Sequence, residues 1–116
     1  DDLSPAPSPV SSTHREAAAR GAQVFQKAQC GACHAGPLGT DLQSYDVGTG
    51  RGVHAKSLFD TPTLVEVWRT APYLHDGRAP TLRALLTEHN EGDRHGKTSD
   101  LTEGEIDDLV LYLRTR

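Results

Sequence analysis

The sequence has 116 residues, a length that fits one domain. Its 12 Lys and Arg against 16 Asp and Glu leave a formal net charge of −4, which argues against a nucleic-acid surface. No run of about 18 apolar residues is present, so no membrane span is expected.

The opening stretch, Asp1 to Ser12, holds three prolines and four serines and cannot pack a core. It reads as an extended linker, residues 1–12, that tethers the domain at residues 13–116 to another domain or a lipid anchor. It lacks the pattern of a leader, so the sequence is expected to be a mature or trimmed chain. The first helix is expected to start at Thr13, where Thr13-x-x-Glu16 matches a capping box. Glu16 to Lys27 then runs through strong helix formers, with Val24 and Phe25 as an apolar edge.

Cys30-Gly31-Ala32-Cys33-His34 follows at once. This C-x-x-C-H run is the attachment signature of a c-type haem. Two thiols three positions apart can each add to a vinyl group of one porphyrin, and the histidine after them is held under the iron as the proximal ligand. The run uses both cysteines of the chain, so no disulfide competes for them. A thioredoxin-like pair expects a βαβ context that is absent here. Zinc would need two more ligands at finger spacing, but the next histidine is His54 and no H-x₃₋₅-H pair follows. The cofactor expected is therefore one covalent haem c, bound through Cys30 and Cys33 with His34 on the iron. A buried porphyrin also supplies apolar volume that two Phe, three Tyr and one Trp do not.

A short helix is expected around Cys30 to His34, ended by Gly36-Pro37. Leu38 to Thr61 reads as loop. Its segment Asp46 to Gly52 carries three glycines but lacks the Lys-Ser/Thr ending of a phosphate loop. It is read as a turn-rich loop over the haem edge. Leu64, Val67 and Trp68 fall at i, i+3 and i+4, which predicts a helix over 63–69. Trp68 is read as core or haem-wall packing rather than as an electron relay. Pro80 fits the first position of a helix reaching about His89, with Leu82, Leu85 and Leu86 on one face. Asn90 to Ser99 is a polar loop. The last helix starts at a second capping box, Thr102-x-x-Glu105, and carries Ile106, Leu109, Val110 and Leu113 at core spacing. It is expected to cross the first helix near Gly21. The fold class expected is all-α, cytochrome c-like, with about four to five helices wrapped around the haem.

A c-type iron commonly takes a second axial ligand, Met or His. The chain has no methionine. That leaves His14, His54, His75, His89, His95, or no ligand; spacing favours His89 and His95 equally, then His54.

The segment Thr61-Pro62-Thr63-Leu64 … Thr70-Ala71-Pro72-Tyr73-Leu74-His75-Asp76-Gly77 … Thr81-Leu82 resembles the C-terminal haem domain of bacterial di-haem cytochrome c peroxidases and MauG-like proteins. The likeness runs from about Gly21 to Leu113. In that family the distal ligand follows the H-D-G histidine by fourteen positions, as Met in the peroxidases and Tyr in the MauG-like enzymes. The position here is His89, so the resemblance implies His34/His89 iron. It also implies that His75 hydrogen-bonds near the haem propionates. Only one C-x-x-C-H is present, and the matching domain is the electron-transferring one. The expectation is thus a mono-haem electron carrier rather than an enzyme, a periplasmic or extracellular monomer that serves a redox partner protein or a fused redox domain. The alternatives are a minimal peroxidase, assisted by Arg51, Arg69 or Arg78, and a ligand-exchange sensor.

Overall fold

The computed structural model describes Ser11 and residues 14–116. The rest of the Pro/Ser-rich stretch, and Thr13 with its expected cap, lie outside the described residues. Three α-helices form: α1, Arg15–Lys27; α2, Leu82–Leu86; and α3, Glu103–Leu113. Single 3₁₀ turns at Cys30–Ala32, Gly52–His54, Val67–Arg69 and Glu91–Asp93 join them.

Helices α1 and α3 make the frame. Gly21 sits at their crossing, where any Cβ would collide with the Asp108 carbonyl. Val24 and Phe25 of α1 meet Leu109 and Leu113 of α3, and Phe25 packs edge-on to Tyr112 at 5.3 Å between ring centres. Two ion pairs flank the seam, Arg20–Asp108 at 3.0 Å and Lys27–Glu105 at 2.7 Å. The capping box of α3 forms as the sequence predicts. Thr102 Oγ1 accepts from the Glu105 N–H at 3.1 Å, and Glu105 accepts from the Thr102 N–H at 3.0 Å.

Helix α2 is shorter than its apolar spacing implies. Thr81 rather than Pro80 begins it, its hydroxyl accepting from the Ala84 N–H at 3.0 Å. Leu82 and Leu86 enter the core beside Val67 and Tyr73. The helix expected over 63–69 shrinks to the turn Val67–Arg69, because Glu66 takes a left-handed conformation with φ of 57°. Leu64 and Val67 still pack inward, which is why their spacing imitates a helix.

The all-α expectation is also modified by a small ribbon. Strands β1 (Ser44–Tyr45) and β2 (Phe59–Asp60) pair antiparallel, Ser44 with Asp60 and Tyr45 with Phe59. Ser44 Oγ donates to Asp60 at 2.5 Å and Thr61 N–H to the Gln43 carbonyl at 2.9 Å. The ribbon pins the ends of the glycine-rich loop. Among the described residues no helix is long and apolar enough to cross a membrane.

Candidate functional site

The site grows from the end of α1. Ala28 closes that helix fully buried, and Gln29 swings into a left-handed conformation that turns the chain into Cys30–Ala32. Cys33 and His34 follow, their N–H groups both bonding the Cys30 carbonyl, at 3.3 and 3.0 Å. The two thiols and the imidazole are thereby displayed on one turn. Burial pushes the Cys30 thiol up to about 11, so before attachment it is held neutral. Tyr45 donates to Asp41 at 2.5 Å. That bond, then burial, push its hydroxyl up to about 12, with the Cys33 thiol a smaller contributor, so β1 lies beside the attachment turn.

The His34 ring is fixed from behind. Its Nδ1 lies 2.9 Å from the Gly39 carbonyl. As a donor there, Nδ1 leaves Nε2 free to bind a metal, the arrangement usual for a ligating histidine.

Opposite stands His95. Its ring centre is 6.4 Å from that of His34, the planes inclined by 32°. A histidine nitrogen bonds a transition metal at about 2 Å, so two imidazoles on opposite sides of one metal stand roughly 6 Å apart. His95 Nδ1 is shielded from solvent and, among the described residues, has no hydrogen-bond partner. Burial, then the charge of His34, push the His95 pKa down to about 4, which keeps the ring neutral and able to ligate.

A knot of polar groups holds the backbone that carries this ring in place. Asn90 is buried; its Oδ1 accepts from the His95 N–H at 2.8 Å, and its Nδ2 donates to the Gly96 carbonyl at 2.9 Å and to Thr98 Oγ1 at 2.7 Å. Thr98 passes its own proton to the Leu86 carbonyl at 2.8 Å. Asp93 accepts from the N–H groups of Thr98 and Ser99 and from the Ser99 hydroxyl. Lys97 N–H then bonds the Ala28 carbonyl at 2.8 Å, which ties the loop to the end of α1. Gly96 makes that approach possible: with φ of +86°, it places no side chain between Ala28 and Cys30 Sγ.

The other candidate histidines lie elsewhere. His89 is half-buried just past α2, its N–H bonded to the Ala84 carbonyl at 3.1 Å, and it is not the ring that faces His34. His75 is exposed and stacks on Phe59 at 4.3 Å between ring centres. His54 is exposed and stands edge-on to His75 at 6.5 Å. His14 is exposed at the head of α1. Trp68 is half-buried, with the Arg69 guanidinium 5.8 Å from its ring centre.

Residues 59–94 match the family model of RoxA-like, cytochrome c-like proteins. The gamma subunit of hydrazine synthase from Kuenenia stuttgartiensis is 32% identical over a 143-residue alignment that covers 85% of this chain and 40% of that protein. A solved structure of hydrazine synthase from the same organism superposes with a TM-score of 0.85 at 31% identity, over 98% of this chain and 51% of that one. This is a cytochrome c-like haem domain. It is also similar to MauG of Methylorubrum extorquens, 33% identical over 84% of this chain and 34% of that protein. The haem domain thus spans well under half the length of these curated relatives.

Such a domain implies haem c, and the residues present fit it. Two thiols are presented on one turn, and a facing pair of imidazoles includes an orphaned buried nitrogen. Among the described residues no three His, Cys, Asp or Glu side chains gather to hold a bare metal ion. A cytochrome-c peroxidase of Denitromonas iodatirespirans, IdrP1, is also similar, 29% identical over 83% of this chain and 39% of that protein.

Proposed function

We propose that this chain is a single-haem, c-type electron-transfer module of a larger redox protein that works in the periplasm or outside the cell. Cys30 and Cys33 form the two thioether links, His34 is the proximal ligand, and His95, rather than the His89 implied by the fourteen-residue step, is the distal ligand. The observation that carries this reading is the His34–His95 pair, 6.4 Å apart between ring centres.

The haem, when bound, supplies an iron that cycles between the ferrous and ferric states. The protein's part would be to hold the iron through that cycle with His34 and His95. The Gly39 carbonyl orients the His34 ring, and the Asn90 knot fixes the backbone that carries His95, so both residues are held when charge changes. A closed, rigid coordination sphere suits single-electron exchange and leaves no open position for peroxide. Two imidazoles with no thioether sulfur also set a potential below that of a His/Met cytochrome. His75 retains the hydrogen-bonding role at the haem edge that the family resemblance implies. The charge of −4 is too small to define the surface of the redox partner or fused redox domain.

The test is the optical spectrum of the matured protein. Covalently held haem, a low-spin ferric spectrum and no carbon monoxide binding on reduction are expected. High-spin ferric iron, or rapid reaction with peroxide, contradicts an electron carrier and favours a peroxidase.

A further inference from the structure

One buried cation is not used by anything described so far. Arg78 ends the tight turn that follows Tyr73, which is closed by the Tyr73–Ala79 pairing at 2.7 and 3.3 Å and by a bond from the Gly77 N–H to the Leu74 carbonyl at 3.2 Å. Its side chain is only 19% exposed. Asp76 Oδ1 accepts from the Arg78 N–H at 3.2 Å and from Nε at 3.1 Å, which fixes the direction of the guanidinium. The far nitrogen, Nη2, is shielded from solvent and, among the described residues, meets no acceptor. A charged donor left unpaired out of water is costly, and native structures rarely leave one so.

The turn lies against the ribbon that borders the attachment turn. Three residues before Arg78, the His75 ring lies flat on Phe59; Phe59 pairs with Tyr45 in the ribbon; and Tyr45 stands beside the Cys33 thiol. Asp76 is already engaged through Nε, so Nη2 needs an acceptor from outside the turn. A haem brings two carboxylates with it, and a guanidinium's planar donors match a carboxylate better than any other acceptor of that size.

We propose that Arg78 Nη2 donates to a haem propionate, so that Arg78, braced by Asp76, is the positioning residue for the carboxylate edge of the cofactor. This rests on the haem reading above. The guanidinium neutralises the propionate, holds it ionised across the working pH range, and keeps the haem potential flat with pH.

The experiment compares the matured parent with Arg78→Gln and Arg78→Lys, by potentiometric titration against pH and by resonance Raman spectroscopy of the propionate bending mode. In Arg78→Gln the potential is expected to fall, to rise again on acidification where the parent is flat, and the propionate band is expected to shift. Arg78→Lys restores the charge without the fork and is expected to lie between the two. Both variants keep the low-spin spectrum, because neither touches His34 or His95. If both give the parent's potential–pH curve and propionate band, with only thermal stability lowered, Arg78 is a strut of the turn and the proposal is overturned. A parent that takes up no covalent haem instead overturns the haem reading, and the assignment of Arg78 with it.

Discussion

The α1–α3 frame and the Asn90–Ser99 loop are built from different forces. The frame is apolar: Leu109 is fully buried, Val24, Phe25 and Leu113 nearly so, and the ion pairs along the seam are half-exposed and worth little each. The loop is polar: Asn90 and Thr98 are its buried residues, and their hydrogen bonds fix the backbone from which His95 projects. Hydrophobic packing is tolerant in direction, whereas a hydrogen-bond knot fixes orientation. The molecule uses the first to fold and the second to place His95. Stability and ligation are therefore expected to separate under mutation.

The largest effect on stability is expected in the frame. Leu109→Ala truncates the largest fully buried side chain among the described residues and is expected to cost about 2–5 kcal/mol, measured by chemical denaturation. The folded fraction is expected to keep its low-spin haem spectrum; a spectrum lost in step with stability would erase the distinction between frame and loop. Asn90→Ala is the opposite case. It leaves the His95 N–H and the Gly96 carbonyl unpaired, for an expected cost of about 1–3 kcal/mol, but with a marked rise in high-spin ferric haem. A low-spin Asn90→Ala protein would show that the knot does not aim His95.

Smaller effects sharpen the contrast. Thr102→Ala removes the cap of α3 and is expected to cost about 1 kcal/mol with no spectral change. The Glu105 carboxyl is held below its ordinary value, first by the hydrogen bond from Lys27 and then by the Thr102 N–H. Because its folded pKa is depressed, its stabilisation is present above the unfolded value and is lost as pH falls below that value through the folded one. Thermal midpoints followed from about pH 5 to pH 3 should therefore fall more steeply in the parent than in Glu105→Gln. Equal slopes would remove Glu105 from the account.

The frame was legible in the sequence, and the aim of the loop was not. Cys30-Gly31-Ala32-Cys33-His34, the Thr102 capping box and the Gly21 crossing all follow from local spacing or local sterics; the structure places the capping box and the crossing on the elements expected and shortens the helix expected over Cys30 to His34 to the turn Cys30–Ala32. Two-residue strands such as Ser44–Tyr45 carry no period to read. The choice between His89 and His95 depended on how far the chain runs after α2 before it turns inward. That turn is made by Asn90 reaching over to the N–H of His95, a contact five residues long that no helical or strand period encodes. The available signal was His95-Gly96: a glycine beside a candidate ligand allows close backbone approach to the attachment turn. The orphaned nitrogen of Arg78 had no sequence signal, since nothing local shows that only Nε would be matched.

The most direct test of the central claim is the ferric optical spectrum of His95→Ala set beside that of His89→Ala in the matured haem protein. The facing rings of His34 and His95 predict that His95→Ala converts low-spin iron to high-spin and opens it to carbon monoxide on reduction, while His89→Ala stays low-spin and closed. A high-spin His89→Ala with an unchanged His95→Ala would contradict the assignment and return the distal position to His89.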